Sequence, residues 1–382
     1  MNFRTNNVIT FLVSGLLCAA CTGGKKNEAA ITTPSLRDVF KNDFAIGTAL
    51  NIRQIEQQDS GAGVLVPQQF NRATPENIMK AEIIHPQWNV FNFDYADKMI
   101  EYGNKHHISI NGHTLIWHSQ LPPFVRSIQN ADSFRLFFTN HITTIAHRYD
   151  GKIFSWDVVN EALDEDGSLR NSIFRQKLGD DYIVEAFRLA GQAAPHTELY
   201  YNDYNIEQPR KRAGAVALIK KIQAAGLRID GVGIQGHWNI NSIPFREIEE
   251  SIAAFSALGI KVMFTELDLS VLPNPWDNNA ADVNKKQEYS ATMNPYPGGL
   301  PDSLQTKLAE GYARLFALFV KYRDAISRVT FWGVNDGQSW LNNWPVPGRT
   351  NYPLLFDRNY KPKKAFYEVI RTASDRTGKK AF

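Results

Sequence analysis

Short β-rich runs alternate with helical stretches along most of this chain, and that alternation restricts the fold more than any other feature. The β-rich runs are residues 44–50, 70–73, 108–111, 153–159, 198–202, 231–235, 262–267 and 329–334. Strands that are separated by helices build a parallel sheet from βαβ units. Eight such strands favour an α/β fold of the closed (β/α)8 type, the TIM barrel, over an open sheet.

The stretches between these runs have the spacing of amphipathic helices. Apolar residues recur every three to four positions in residues 95–106, 133–149, 182–193, 210–225, 248–258 and 304–322. No charge block, low-complexity tract or proline- and glycine-rich linker interrupts residues 36–376. We therefore expect those residues to form a single domain.

Polar side chains follow the β-rich runs at the points where the strands are expected to end. They are Glu76, Asn77, Lys80, His113, Trp117, Asn160, Glu161, Asn202, Asp203, Gln235, His237, Glu266, Asn335 and Asp336. In a (β/α)8 barrel the carboxyl ends of the strands meet at one face, where active sites are built. The segment 271–303 is long for a strand-to-helix connection, so we expect it to lie over that face.

Two glutamates at predicted strand ends are the first candidates for chemistry. Glu161 follows the run 153–159, and Glu266 lies near the end of the run 262–267. Glycoside hydrolysis needs two carboxyl groups, because one protonates the leaving oxygen and the other attacks the anomeric carbon or activates water. Each glutamate taken alone fits an ion-paired structural residue equally well.

The sequence segments around these glutamates resemble those of glycoside hydrolase family 10, the xylanase family. The matching segments, in order, are residues 77–80, 112–120 (Gly-His-Thr-Leu-Ile-Trp-His-Ser-Gln), 160–161, 265–268 (Thr-Glu-Leu-Asp), 331–336 and 353–357. The resemblance covers essentially all of residues 36–372. An Asn-Glu pair alone is a weak signal, but this ordered set is very specific.

The resemblance implies a retaining endo-1,4-β-xylanase that works by double displacement and needs no cofactor. Glu161 matches the acid/base of the family, and Glu266 matches the nucleophile. In a retaining enzyme the two carboxyl groups lie about 5–5.5 Å apart. Asn160 looks like the amide that binds the 2-hydroxyl of the sugar. His237 resembles the partner of the nucleophile, with Asp268 behind it or merely bracing the loop.

The remaining residues implied by the resemblance bind the substrate. Glu76, Asn77, Lys80, His113 and Gln235 match polar residues that hold sugars on the non-reducing side, Trp117, Trp332 and Trp340 match aromatic walls, and Tyr204 matches a residue that stacks on a leaving-side sugar. Trp156, Trp238 and Trp344 are expected to pack in the core or in loops.

Other functions remain open at this point. A retaining β-1,4-glucanase (cellulase) on the same fold would use the same two glutamates. A glycan-binding lipoprotein without activity would keep only the groove. A third possibility is an α/β protein in which both carboxylates are structural. Relative activity on xylan and carboxymethylcellulose separates the first reading from a xylanase.

The amino terminus resembles a bacterial lipoprotein signal. Arg4 precedes the apolar residues 8–20, and Ala19 and Ala20 stand directly before Cys21. We expect a signal peptide over residues 1–20, lipid on Cys21, a flexible tether over residues 21–35, and attachment to the cell envelope after export. The alternative is an ordinary secretory signal cut near Ala20.

Composition limits the partners. The net charge of +3 implies neither a nucleic acid nor a charged membrane surface. The two cysteines, Cys18 and Cys21, leave none for a disulfide or a metal site in the folded body. His113, Gln235 and His237 lack compact ligand spacing, so no metal is predicted. The expected partners are xylan and xylo-oligosaccharides, with a membrane only through the lipid anchor, and the chain is expected to be a monomer.

Overall fold

The computed structural model describes residues 34–275 and 286–374. Its strands are β1 (Ala45–Leu50), β2 (Arg72–Pro75), β3 (Ser109–Trp117), β4 (Ser155–Asn160), β5 (Glu198–Asp203), β6 (Gly231–Ile234), β7 (His237–Asn239), β8 (Lys261–Ser270) and β9 (Ile326–Phe331). All neighbours pair in parallel, in the order β6-β5-β4-β3-β2-β1-β9-β8, and β6 also pairs with β8. That last pairing closes an eight-stranded barrel and confirms the predicted (β/α)8 fold. The short β7 lies outside the ring and pairs with the carboxyl half of β8.

Helices connect the strands. They are α1 (Leu36–Val39), α2 (Ile52–Ile55), α3 (Ser60–Gln69), α4 (Ala81–Ile84), α5 (Asp94–His106), α6 (Pro123–Ser127), α7 (Ala131–Tyr149), α8 (Ile173–Leu178), α9 (Tyr182–Ala193), α10 (Pro209–Ala224), α11 (Phe245–Ser256), α12 (Asp302–Lys321) and α13 (Lys364–Ser374). Local signals set their starts. Asn130 caps α7 by accepting the backbone N–H groups of Asp132 and Ser133, and Pro209 opens α10.

The core lies inside the barrel and between the barrel and its helices. Every residue of β4 is buried, and so are residues 262–269 of β8, because helices cover the sheet on its outer side. Aromatic rings fill the space between β8 and α12, where Phe264 stacks on Phe319 with ring centroids 4.1 Å apart. Burial of Trp156 and Trp238 confirms the core packing expected for them.

Each predicted strand and long-helix boundary lies within three residues of the observed one, except the end of β3. β3 runs to Trp117 rather than ending at residue 111, so His113 and Trp117 lie within the strand and not after it. Gly112 fits inside this buried strand, because a Cβ at that position would collide with the ring of Trp156. β2 begins two residues later than predicted, at Arg72.

The ends of the chain and part of the long insertion lie outside the description. The predicted signal peptide, Cys21 and most of the tether are not among the described residues. The described parts of the 271–303 segment bond to the connection after β9: Gln287 N donates to Pro345 O, and Tyr352 Oη donates to Tyr296 O. That connection leaves the carboxyl end of β9, so these parts lie towards the predicted face.

None of the helices within 34–275 and 286–374 has the length and apolar character needed to cross a bilayer. The same residues contain no group of three or more histidine, cysteine, aspartate or glutamate side chains arranged to hold a metal ion.

Candidate active site

A groove of about 530 Å³ opens at the carboxyl face of the barrel and contains both candidate glutamates. The lining residues are Glu76, Asn77, Lys80, His113, Trp117, Gln120, Asn160, Glu161, Gln235, His237, Glu266, Trp332 and Trp340. The fold therefore brings together every predicted sugar-binding residue except Tyr204. These residues come from the ends of six different strands, so only the closed barrel can gather them.

Glu161 lies directly after β4 in a buried position that favours its protonated form. Trp117 Nε1 donates to Glu161 Oε2 at 2.7 Å, and Gln235 Nε2 donates to Oε1 at 3.0 Å. Burial raises the pKa of Glu161; these two hydrogen bonds oppose the rise, and the nearby negative charge of Glu266 adds to it. The net result is a carboxyl group that holds a proton to a higher pH than an ordinary glutamate.

Glu266 lies in β8 and has the opposite tendency. Burial alone would raise its pKa, but the hydrogen bond and charge of His237 and the amide of Asn202 together lower it below the ordinary value. Asn202 Nδ2 donates to Glu266 Oε1 at 2.9 Å, and His237 Nε2 donates to Oε2 at 3.3 Å. Glu266 is therefore the ionised carboxylate of the pair.

His237 helps to keep Glu266 ionised, through its hydrogen bond and its positive charge. Its Nδ1 contacts Asp268 Oδ1 at 3.0 Å, and the second oxygen of Asp268 accepts Trp340 Nε1 at 2.8 Å. Burial opposes protonation of the imidazole, but Asp268 and Glu266 outweigh it and raise the pKa of His237 to about 10. The Asp268 contacts agree with the predicted position behind His237.

A chain of amides connects the two glutamates. Asn160 Oδ1 accepts Asn202 Nδ2 at 2.9 Å and Gln235 Nε2 at 3.3 Å. The same Gln235 amide donates to Glu161, and the same Asn202 amide donates to Glu266. We name Asn160, Gln235 and Asn202 the amide chain. It fixes the relative orientation of the two carboxyl groups through directional contacts.

A buried lysine organises another part of the groove. Lys80 Nζ donates to Asn77 Oδ1 at 2.9 Å and to Gln120 Oε1 at 2.8 Å, and it lies 4.7 Å from the centroid of the Trp117 ring. Burial lowers the pKa of Lys80 and raises that of Glu76. Donors and acceptors placed beside an aromatic face in this way suit the hydroxyl groups and ring faces of a sugar.

The histidine and the tryptophans form the walls. His113 Nδ1 contacts Asp157 Oδ2 at 2.9 Å, and the Trp332 ring stands edge-on to the His113 ring at 5.5 Å. Trp340 stacks on Trp344 with centroids 4.5 Å apart. Trp344 thus supports a wall of the groove, whereas the sequence indicated only core or loop packing.

Tyr204 does not line the groove. It is 3% exposed and packs against Trp340. Its hydroxyl accepts Arg170 Nη2 at 2.9 Å, and Lys211 Nζ lies 3.6 Å from the ring centroid. Two cations thus contact the side chain of Tyr204. The stacking role that the resemblance implies for Tyr204 stays a prediction.

Four residues with contacts to the site were given no role by the sequence analysis: Gln120, Asn202, Asp157 and Arg170. Gln120 closes the matched segment 112–120, and Asn202 stands at a predicted strand end, so both had a signal in the sequence. Asp157 lies inside β4, and Arg170 lies in the loop after it. No sequence pattern around Asp157 or Arg170 predicts which residue it contacts.

The chain is similar to known proteins over most of its length. The sequence profile of glycosyl hydrolase family 10 matches residues 35–372. The chain belongs to that family. It is 43% identical to endo-1,4-beta-xylanase A of Xylanibacter ruminicola over 88% of this chain and 93% of the relative. It is 40% identical to an endo-1,4-beta-xylanase of Geobacillus stearothermophilus over 88% of this chain and 98% of the relative. A family 10 endoxylanase from a sugarcane soil metagenome superposes with a TM-score of 0.84 at 42% identity, covering 88% of this chain and 99% of that one.

Proposed function

We propose that this family 10 protein is a retaining endo-1,4-β-xylanase in which Glu161 is the acid/base and Glu266 is the nucleophile. The observation that carries the proposal is the opposite effect of the groove on its two glutamates. The pKa of Glu161 is raised and that of Glu266 is lowered, although both are buried in one groove. Environments that separate the pKa values of two carboxyl groups are the mark of an acid paired with a nucleophile.

The proposed reaction has two steps. In the first, Glu161 gives its proton to the glycosidic oxygen while Glu266 forms a bond to the anomeric carbon, so the leaving sugar departs as an alcohol. In the second, Glu161, now ionised, takes a proton from water as the water oxygen displaces Glu266. Each step inverts the anomeric carbon, so the product keeps the β-configuration. The charge on Glu266 is absent in the intermediate, which removes one cause of the raised pKa of Glu161.

The amide chain and the tryptophans support the choice of substrate. An amide of the amide chain can form a hydrogen bond with the 2-hydroxyl of the sugar that is cleaved. Such a hydrogen bond strengthens in the transition state. Xylose lacks the hydroxymethyl group of glucose, so walls such as Trp332 and Trp340 admit xylose and crowd glucose. Relatives at 35–43% identity carry the name of endo-1,4-beta-xylanase. One similar structure, 36% identical, is a mutant protein in complex with xylotriose.

Two alanine variants test the roles of the glutamates. We expect Glu266→Ala to abolish turnover of xylan, and Glu161→Ala to lose most activity but recover part of it on activated aryl glycosides when azide is added. Glu101→Ala, an exposed position on α5, is the matched control. Near-normal turnover by Glu266→Ala would overturn the nucleophile assignment, and absence of any azide rescue would count against Glu161.

Stereochemistry and substrate range test the rest. Proton NMR of the first products should show the β-anomer, whereas an initial α-anomer would mean an inverting enzyme. Rapid release of short xylo-oligosaccharides with little action on carboxymethylcellulose is expected. Activity on cellulose instead would keep the two-glutamate chemistry but show that the tryptophan walls do not exclude glucose.

Attachment to the envelope is a separate proposal. The order of Arg4, the apolar residues 8–20 and Cys21 supports a lipoprotein signal. Metabolic labelling with a palmitate analogue should mark the wild-type protein and not the Cys21→Ser variant. Equal labelling of the two would contradict the anchor.

A further inference from the structure

The loop after β4 turns back on the residue that carries the acid/base carboxyl. Leu163 and Leu169 form an antiparallel bridge, and Arg170 N donates to Ala162 O at 2.8 Å. This hairpin brings Arg170 beside Glu161, nine positions earlier in the chain. The side chain of Arg170 is only 16% exposed, so its guanidinium lies beneath the loop rather than in solvent.

The guanidinium of Arg170 uses its donors on the loop. Nε donates to Glu161 O at 3.0 Å, and Nη2 donates to Leu163 O at 3.0 Å and to Tyr204 Oη at 2.9 Å. The carboxylate of Asp164 lies farther away, at 3.5 Å from Nη1. Arg170 is therefore bound mainly to backbone carbonyls, and its planar fork holds two of them at a fixed separation.

Glu161 needs such a restraint because its backbone is unfavourable. Its φ is +57°, in the left-handed region that residues with a side chain seldom adopt. A conformation of this kind persists only when its surroundings fix it. The N–H of Glu161 donates to Asn202 O at 2.9 Å, so β5 holds one side of the residue and Arg170 holds the other.

The next two residues of the loop are held in the same way. Ala162 N donates to Tyr201 Oη at 3.2 Å, and Leu163 N donates to Asp203 Oδ2 at 3.4 Å. Each of these partners is a side chain from β5. With Asn202 O, they give each backbone N–H of residues 161–163 a partner on β5. Arg170 binds all three carbonyls, because its backbone N–H donates to Ala162 O and its guanidinium donates to Glu161 O and Leu163 O.

We propose that Arg170 is a positioning residue that sets where the Glu161 carboxyl meets the glycosidic oxygen, acting through the Glu161 carbonyl. The inference rests on the acid/base role proposed for Glu161. Proton transfer needs donor and acceptor within hydrogen-bond reach, and small displacements of a catalytic group cost large factors in rate. Without Arg170 the Glu161 carbonyl loses its fixed donor, and the residue is free to rotate towards an ordinary backbone conformation.

The acidity of the leaving group separates this role from a merely structural one. A good leaving group such as 2,4-dinitrophenolate departs without a proton, whereas phenolate needs general acid help. A misplaced Glu161 therefore slows the cleavage of phenyl β-xylobioside far more than that of the dinitrophenyl analogue. A general loss of folded protein slows both equally.

The experiment compares Arg170→Met, Arg170→Lys and the control Arg188→Met on both substrates. Arg188 lies on α9, 40% exposed, and pairs with Glu185 away from the loop. We expect Arg170→Met to lower kcat/KM for the phenyl substrate at least about tenfold and for the dinitrophenyl substrate by less than about threefold, since general acid catalysis contributes about 10²–10⁴-fold. Its kcat and KM for the dinitrophenyl substrate should fall together, because the second step also uses Glu161.

Each outcome is decisive. Equal losses of kcat/KM on both substrates in Arg170→Met would overturn the inference. Arg170→Lys keeps the charge but not the planar fork. We therefore expect it to lose more kcat/KM on the phenyl substrate than on the dinitrophenyl substrate, as Arg170→Met does. Wild-type kcat/KM on both substrates in Arg170→Lys would overturn the argument from geometry. If the wild-type protein cleaves neither substrate, the proposed function has failed instead. Thermal unfolding followed by circular dichroism confirms that each variant is folded.

Discussion

Replacing Lys211 with methionine would leave a carboxylate without its cation deep inside the protein. Lys211 Nζ lies 3.1 Å from Asp203 Oδ1, and the side chains of both residues are fully buried. Methionine keeps most of the volume of lysine, so the change removes charge more than packing. The carboxylate of Asp203 would keep the hydroxyl of Tyr201 and the N–H of Tyr204 as partners.

The expected loss follows from this burial. Removing one partner of a buried ion pair typically costs about 3–5 kcal/mol, because the remaining charge stays desolvated. For a domain of roughly 340 residues, an unfolding entropy of about 2.1 cal/mol/K per residue gives about 0.7 kcal/mol/K, so the melting temperature should fall by about 4–7 °C. Adding Asp203→Asn removes the orphaned charge and should restore most of the loss, since a buried pair replaced as a whole is often nearly neutral.

The loss should also depend on pH. Burial raises the pKa of Asp203, and Lys211 opposes that rise. A carboxyl group with a raised folded-state pKa stabilises the protein fully below its unfolded pKa and loses that contribution as the pH rises through the folded one. Without Lys211 the raised pKa moves further up, so the gap between variant and wild type widens from acid towards neutral pH.

Denaturant unfolding of the wild type, Lys211→Met and the double variant at several pH values measures the free energy of unfolding of each protein. A loss below about 1 kcal/mol in the single variant would refute the reasoning, because it would mean that water or another group replaces the cation at little cost. Failure of Asp203→Asn to recover stability would show that Lys211 acts through other contacts, such as the ring of Tyr204.

Three further predictions concern pH. Trp117→Phe removes a donor to the ionised form of Glu161, so the alkaline limb of kcat/KM on xylan should move to higher pH in a pH–rate profile. His237→Asn removes the cation beside Glu266, so the acidic limb should move to higher pH, and an unchanged limb would contradict the assignment. Burial lowers the pKa of His85 from 6.5 to about 4, so the neutral ring stabilises the fold fully above about pH 6.5 and progressively less towards pH 4. Acid unfolding of His85→Gln should therefore depend less steeply on pH over that range.

The sequence predicted the barrel because apolar residues are spaced differently in its strands and in its long helices. Buried parallel strands read as short apolar runs, and the six long helices show clear three-to-four spacing, so both kinds of element were found within a few residues. α3 escaped because it contains two glycines and a proline, which are poor helix formers. α13 was missed although Phe366, Val369 and Ile370 recur at helical spacing, a signal that the periodicity rule would have found.

The members of the site were easier to predict than their contacts. Residues at strand ends must meet in a barrel, so Glu161, Glu266 and Gln235 were expected on one face, and the groove brings them together. Contacts depend on rotamers and on the register between strands that are far apart in the chain. The bond from Arg170 to the carbonyl of Glu161 arises from the hairpin between them, and the burial of Tyr204 arises from Arg170 and Lys211, so the short-range pattern contained neither.

The amide chain makes the site sensitive to polarity in a way that its shape does not reveal. Each amide has a nitrogen end and an oxygen end, and Asn160 Oδ1 is the point where the nitrogen ends of Gln235 and Asn202 converge. Turning one amide around would set oxygen against oxygen somewhere along the chain. Aspartate in place of Asn160 or Asn202, or glutamate in place of Gln235, would match the amide in size almost atom for atom and still replace its nitrogen donor with an acceptor oxygen. The two glutamates are thus held by a sequence of dipoles with a fixed direction, and an isosteric change that preserves every volume is the one that such a site tolerates least.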